Sequence, residues 1–222
     1  MNGPKQAAKP RAGAAVSAAT GTISPMIILK EADYVTVPWK NGGGLTREIL
    51  KVPANAAAFD WRLSLATIEN PGPFSAFDDY ERTLVLVRGA GVELDFGPHG
   101  QMTLRIPGQM AEFDGAWAST CKLIDGPSTD LNLIVAKSRV QAQAGLSRIT
   151  APELIRTSGW EETLVCCISG AAQLENAAGD VATLNAEDVA RCNPDDGVLT
   201  CGPHGSGAAL MFVARLSRPT SR

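Results

Sequence analysis

Histidine is almost missing from this chain, with only His99 and His204 among 222 residues. Both sit in the tetrapeptide Gly-Pro-His-Gly, which reads as a turn. A metal held inside a β-barrel calls for two or three histidines and a carboxylate on facing strands. A histidine-based metal site is therefore excluded, and no metal or other cofactor is expected. The same scarcity leaves any serine or cysteine nucleophile without its usual base, and neither GxSxG nor a Cys-His signature occurs. Cysteines number five, with no CxxC and no zinc spacing among them. They read as buried free thiols in a reducing, cytoplasmic setting. No apolar run approaches the roughly 18–20 residues of a membrane helix, so no membrane partner is expected.

Acidic residues are absent from the first 30 positions, which carry Lys5, Lys9, Arg11 and Lys30. The remainder holds 16 basic against 23 acidic groups, a net charge of -7. A body that acidic is a poor ligand for phosphate backbones, which excludes nucleic acid as a partner. Residues 1–25 are rich in Ala, Gly, Pro, Ser and Thr and lack the apolar segment of a secretory signal. They are expected to form a disordered tail, with the folded body starting near Met26.

What is present is a repeat. Shifting ERTLVLVRG (81–89) by 80 residues lays it on EETLVCCISG (161–170), matching Glu81 to Glu161, Thr83 to Thr163 and Leu84 to Leu164. The same shift, without a gap, puts Leu94 on Leu174 and Leu104 on Leu184, as two copies of one structural unit would. Each copy has a β-rich run, a small-residue turn, a short alternating strand, a Gly-bearing loop and another strand. Short strands at this spacing mean an antiparallel sandwich or barrel. The layout is that of a cupin barrel, and two in tandem make an all-β bicupin (RmlC-like) with little helix. The expected organisation is a tail at 1–25, one barrel over 26–145 and a second over 146–222, which could share a core and behave as one cooperative unit. Ser138–Ser147 reads as a polar connector, and Pro152–Arg156 as a single helical turn.

The stretch PWKNGGGLTREI (38–49) has three consecutive glycines but not the spacing of a phosphate-binding loop. With Phe-Asp-Trp-Arg-Leu-Ser-x-Ala (59–66), Gly-Pro-Phe-Ser-x-Phe (72–77) and Asp-Leu-Asn (130–132), it resembles the HutD/Ves family of small bacterial bicupins. The likeness spans roughly residues 26–215. It implies a protein associated with histidine-degradation genes that senses or buffers a pathway intermediate such as formylglutamate or urocanate. One departure is Asp78-Asp79-Tyr80 before Glu81-Arg82, where the family tends to carry Pro-Gly, so Arg82 ranks below Arg62 as a site residue.

The residues support a pocket on their own terms. Alternation along 59–67 puts Phe59, Trp61, Leu63 and Leu65 on a core face and Asp60, Arg62, Ser64 and Ala66 on the other. A guanidinium among small side chains suits a barrel interior, where its planar fork matches a carboxylate. Bare glycine backbone permits close approach to a ligand. The candidate ligand-binding set is therefore Lys40, Asn41, Gly42, Gly43, Gly44, Thr46, Glu48, Arg62 and Arg82, with no catalytic residue assigned. Arg62 and Lys40 would hold a carboxylate, Asn41 and the glycine amides would bind its remaining oxygens, and Glu48 would orient Arg62 or bind an amine. The competing explanation makes Gly42–Gly44 a β-bulge or tight bend closing the barrel and Arg62–Glu48 a buried structural ion pair. Asp130 and Asn132 share the face opposite Leu131 and Leu133, either capping the same cavity or satisfying loop amides.

The expected function is metal-free binding of a small anionic metabolite that modulates histidine or amino-acid catabolism. A homodimer is compatible with it. The rivals are a cofactor-free isomerase or hydrolase with Glu48 as base, and an interaction module whose barrels are filled.

Overall fold

The computed structural model describes residues 26–219; the expected tail at 1–25 lies outside them. The first half contains β1 (Ile27–Leu29), β2 (Val35–Pro38), β3 (Gly44–Val52), β4 (Trp61–Ile68), β5 (Gly72–Pro73) and β6 (Tyr80–Arg88). It continues with β7 (Val92–Asp95), β8 (Gln101–Leu104), β9 (Met110–Asp114), β10 (Thr120–Leu123) and β11 (Ser128–Ala136). The second half contains β12 (Gln141–Ile149), β13 (Glu153–Arg156), β14 (Glu162–Ser169) and β15 (Ala171–Glu175). β16 (Val181–Asn185), β17 (Val189–Cys192), β18 (Val198–Pro203) and β19 (Ala209–Ser217) complete it. Helix is limited to short 3-10 turns among the described residues.

Four antiparallel sheets form two barrels. A six-stranded sheet (β2-β3-β4-β11-β6-β9) faces a four-stranded one (β5-β10-β7-β8), and a five-stranded sheet (β1-β17-β14-β19-β12) faces another (β13-β18-β15-β16). The two large sheets pack against each other. Trp61, Leu63, Leu65, Leu131 and Leu133 from the first meet Leu164, Cys166, Phe212, Ala214 and Leu216 from the second in one core. The alternation expected for β4 holds, with Trp61, Leu63 and Leu65 entering this shared core. Each barrel also has an interior cluster of its own, around Leu84, Leu94 and Phe96 in the first and Val165, Leu174 and Met211 in the second.

The repeat marks equivalent units, but its register holds only on the small sheets. Leu94 and Leu174, and likewise Leu104 and Leu184, occupy interior positions of their barrels. On the large sheets the match slips by one residue. Leu84 lies inside its barrel, whereas its sequence partner Leu164 faces the shared core; strand pairing makes Val165 the equivalent of Leu84. A one-residue slip exchanges the two faces of a strand, and it goes unseen in sequence because both faces of these strands are apolar.

Two local expectations are corrected. The polar segment 138–147 is not a connector: most of it is β12, paired along its length with β19, so residue 145 falls inside a strand. Pro152–Arg156 is not helical either, since β13 pairs with β18. In both places pairing of the backbone to a neighbouring strand outweighs a weak local preference.

Two further features join the barrels. β1, the first strand, adds to β17 on the second. Arg47 on β3 is buried and donates to Glu187 in the β16–β17 turn (2.7 Å) and to Glu31 (2.9 Å). Arg88 also pairs with Glu187, and Tyr34 donates its hydroxyl to the Glu187 carbonyl at 2.6 Å.

The glycine triplet is the hairpin bend between β2 and β3. Trp39 N–H donates to the Gly44 carbonyl (2.9 Å) and Gly42 N–H to the Trp39 carbonyl (3.0 Å). Gly42 needs its left-handed φ of 69°. Gly44 needs the absence of a side chain, because a Cβ there would lie 2.2 Å from the Thr67 carbonyl oxygen on β4. Gly44→Ala is expected to cost about 2 kcal/mol or more, because strand backbones must part. Gly42→Ala, with open space around it, should cost only about 1–2 kcal/mol. Urea unfolding of both variants checks the order; equal losses would contradict it.

Candidate functional site

The interior of the first barrel is only partly filled. Beside its apolar cluster lies an open cavity of about 740 Å³, within the range of small-molecule sites. Its floor is the inward face of three adjacent strands: Arg62, Ser64 and Ala66 from β4, Asp130 and Asn132 from β11, and Arg82 from β6. These positions are neighbours by register, since Ile134 pairs with both Arg62 and Arg82, and Asp130 with Ala66 and Leu86. The mouth is made by Lys40 and Asn41 from the hairpin bend, and the wall by Trp39, Phe74 and Phe77.

The two guanidiniums are held by aromatic rings rather than acids. Arg62 lies over Phe59 (5.5 Å) and Phe77 (5.2 Å); Arg82 lies over Phe74 (5.4 Å), Phe77 (5.6 Å) and Phe113 (5.0 Å). Four of the six phenylalanines in a chain poor in aromatics thus surround two charges. Cation–π contact fixes each guanidinium while leaving most of its N–H donors free. The Arg82 side chain donates to the Ser75 carbonyl at 3.3 Å, while the Nε atoms of Arg62 and Arg82 are buried without partners. Burial lowers Arg62, with the charge of Glu48 acting against it. Burial also pushes Arg82 down to about 10, with Asp130 opposing that shift, so Arg82 remains cationic at neutral pH.

Asp130 completes the set. It is 1% exposed, and neither carboxylate oxygen has a hydrogen-bond partner; the Asn132 side-chain oxygen is also unpartnered. Burial raises Asp130 to about 7, with Arg82 and, more weakly, Asn132 pulling the other way. Buried polar atoms are almost always hydrogen-bonded. Unpartnered atoms on four neighbouring side chains, all lining one cavity, mark a place where a ligand or water supplies the missing partners.

Among the residues singled out in the sequence, Lys40, Asn41, Thr46, Arg62 and Arg82 line this cavity. Thr46 also accepts the Trp39 indole N–H at 2.8 Å, which sets the wall. Gly42, Gly43, Gly44 and Glu48 are not in the lining. The Gly42 N–H is committed to Trp39 and the Gly43 N–H to the Asn41 side chain (2.9 Å), so neither amide is free for a ligand. Glu48 lies opposite Ser64 in the β3–β4 register. Among the described residues it forms no ion pair with Arg62, so the structural ion pair considered as an alternative is not made. Arg82, ranked below Arg62 because of the altered turn before it, is the more deeply buried of the two. Sequence reasoning left Asp130 and Asn132 unassigned. Their signal was two polar residues at alternate positions within an apolar run, and all nine residues of β11 are buried.

Among the described residues the second barrel lacks this set of charged side chains. By strand register, Gln143 stands in place of Arg62, Thr163 of Arg82, Met211 of Asp130 and Val213 of Asn132. Met211 and its neighbours fill that interior.

Two tandem cupin barrels, the first with an open polar interior and the second packed, define a bicupin. Among the described residues no three His, Cys, Asp or Glu side chains gather as metal ligands would, and no helix is long and apolar enough to cross a membrane. The chain belongs to the HutD/Ves family, with the HutD family model matching residues 31–211. It is 31% identical over 198 residues to an uncharacterized 21.2 kDa protein in the hutC 3′ region of Pseudomonas putida, covering 87% of this chain and all of that one. It is 35% identical over 137 residues to protein Ves of Citrobacter koseri, covering 61% of this chain and 69% of that protein. Among solved structures it is similar to HutD from Pseudomonas fluorescens SBW25 (formate condition), with a TM-score of 0.74, 28% identity and coverage of 88% and 100%. The oxalate decarboxylase of Lactobacillus farciminis has a TM-score of 0.65, 11% identity and coverage of 90% and 88%, a likeness of fold alone.

Proposed function

We propose that the first barrel binds a small carboxylate metabolite, with formylglutamate and urocanate as leading candidates, and that the protein thereby modulates histidine or amino-acid catabolism. The observation that carries this reading is the pair Arg62 and Arg82, one half-buried and one buried cation lining one cavity, each with a buried Nε that has no partner and neither in an ion pair among the described residues. A carboxylate would supply the charge and the acceptor oxygens that both lack. The aromatic wall suits a planar or extended carbon skeleton. Support for the pathway comes from the relatives' descriptions, one by its place in the hutC 3′ region and one as HutD in a formate condition. Catalysis with Glu48 as base gains nothing from the geometry, because Glu48 is outside the lining.

Calorimetric titration of formate, formylglutamate, urocanate and glutamate into the wild type, Arg62→Ala and Arg82→Ala tests it. Each variant should bind roughly 10–100-fold more weakly, the loss of one charge-assisted contact, while keeping the wild-type circular dichroism spectrum. No heat from any carboxylate with the folded wild type would overturn the proposal.

A further inference from the structure

Building on that reading, we propose that the first barrel takes up its anionic ligand together with a proton, and that Asp130 is the group that receives it. Asp130 is fixed at the cavity floor between Ala66 and Leu86, two apolar cross-strand neighbours. Neither of its oxygens has a partner in hydrogen-bonding geometry, and the Asn132 side chain acts on it only as a weak donor. The charged and titratable groups around it are few. Arg82 acts on it from β6, and Arg62 on β4 lines the same cavity farther along the sheet. Cys121 is on β10, its thiol pushed up to about 12 by burial and therefore neutral. Lys40 is at the mouth and Glu48 on β3 beyond Arg62. Arg82 is the group that favours an ionised Asp130.

A ligand carboxylate held by Arg82 would neutralise that charge. It would also bring a second negative charge into the same desolvated space, where two neighbouring carboxylates do not readily remain ionised together. The ligand thus competes with ionised Asp130 for one cation. Protonation resolves the conflict and turns Asp130 into a donor that can itself bond the ligand. Linkage makes the effect reciprocal: the ligand raises proton affinity, and protons raise ligand affinity. Since burial already raises Asp130 to about 7, the effect falls in the neutral range. Apparent affinity should be nearly flat below pH 6 and fall about tenfold between pH 6 and 8, approaching tenfold per further unit. The second barrel, with Met211 at the equivalent position, has no such coupling.

The test is calorimetric titration of formylglutamate and formate at pH 6, 7 and 8, in buffers of different ionisation enthalpy. The expected result is an uptake approaching one proton per bound carboxylate at pH 8 and close to none at pH 6. In Asp130→Asn, which keeps a side chain of the same shape, binding should persist and both the uptake and the pH dependence should vanish. Carboxylate binding without proton uptake would overturn the inference and leave the binding site standing. Uptake unchanged in a folded Asp130→Asn would overturn the assignment to Asp130. Absence of binding altogether would remove the underlying reading as well. The buffer comparison needs only the wild type, so a poorly folding variant would not leave the question open.

Discussion

Replacing Arg47 with Ala should destabilise the protein by about 3 kcal/mol and loosen both barrels together. Arg47 belongs to β3 of the first barrel, is 8% exposed, and reaches Glu187 of the second. The Glu187 side chain is itself only 13% exposed. Removing the guanidinium leaves a largely buried carboxylate with Arg88 as its remaining cation, and uncompensated buried charge is the costly outcome. Arg88→Ala should lose under about 1 kcal/mol, because the Arg88 side chain is 57% exposed and solvent screens what it contributes. Denaturant unfolding followed by tryptophan fluorescence suits the comparison, since Trp61 is in the shared core and Trp160 lies in the second half. A cycle with Glu187→Ala should return a coupling of about 1–3 kcal/mol. Equal effects of Arg47→Ala and Arg88→Ala would show that this contact does not lock the barrels.

Replacing Asp130 with Asn should change how stability depends on pH even without ligand. The folded-state value of about 7 lies above the ordinary value of 3.8. The native state therefore holds a proton that the unfolded chain has released, and stability must fall as pH rises between those values. The contribution is fully present below about pH 4 and lost as pH rises through about 7, and it amounts to roughly 2–4 kcal/mol. Asn cannot ionise, so the variant should gain on the wild type progressively from pH 4 to pH 7 and hold its lead above that. Melting temperatures of the two proteins, taken as a difference at each pH, isolate this group from all others. A difference independent of pH would mean that Asp130 is not held in its neutral form. That result would also move the proton-linked change in affinity out of the neutral range.

The architecture was readable because it rests on local alternation. Strand alternation in 59–67 placed Trp61, Leu63 and Leu65 correctly, and the Gly-rich turns divided the chain into two equivalent sets of strands. Where reading failed, the reason was equally local. The segment 138–147 is too polar to announce itself as a strand; its conformation comes from its partner β19. The glycine triplet stands out, yet the sequence offered no way to tell a bend from a ligand cradle. The decision came from the hydrogen bonds that engage Gly42 and Gly43 and from the closeness of Gly44 to Thr67.

By itself, the amino-acid sequence determined that this is a double β-barrel of acidic character, too poor in histidine for the usual barrel metal, with a guanidinium on the inward face of β4. It could do so because burial alternates with period two along a strand, a property each segment carries alone. Only tertiary structure decided that Arg62, Arg82, Asp130 and Asn132, from three strands spread over about 70 positions of chain, share one floor, and that Glu48 does not join them. Neighbourhood across a sheet is set by pairing order and register, β4 beside β11 beside β6. The environment that holds Asp130 near neutrality exists only once those strands have come together and excluded water.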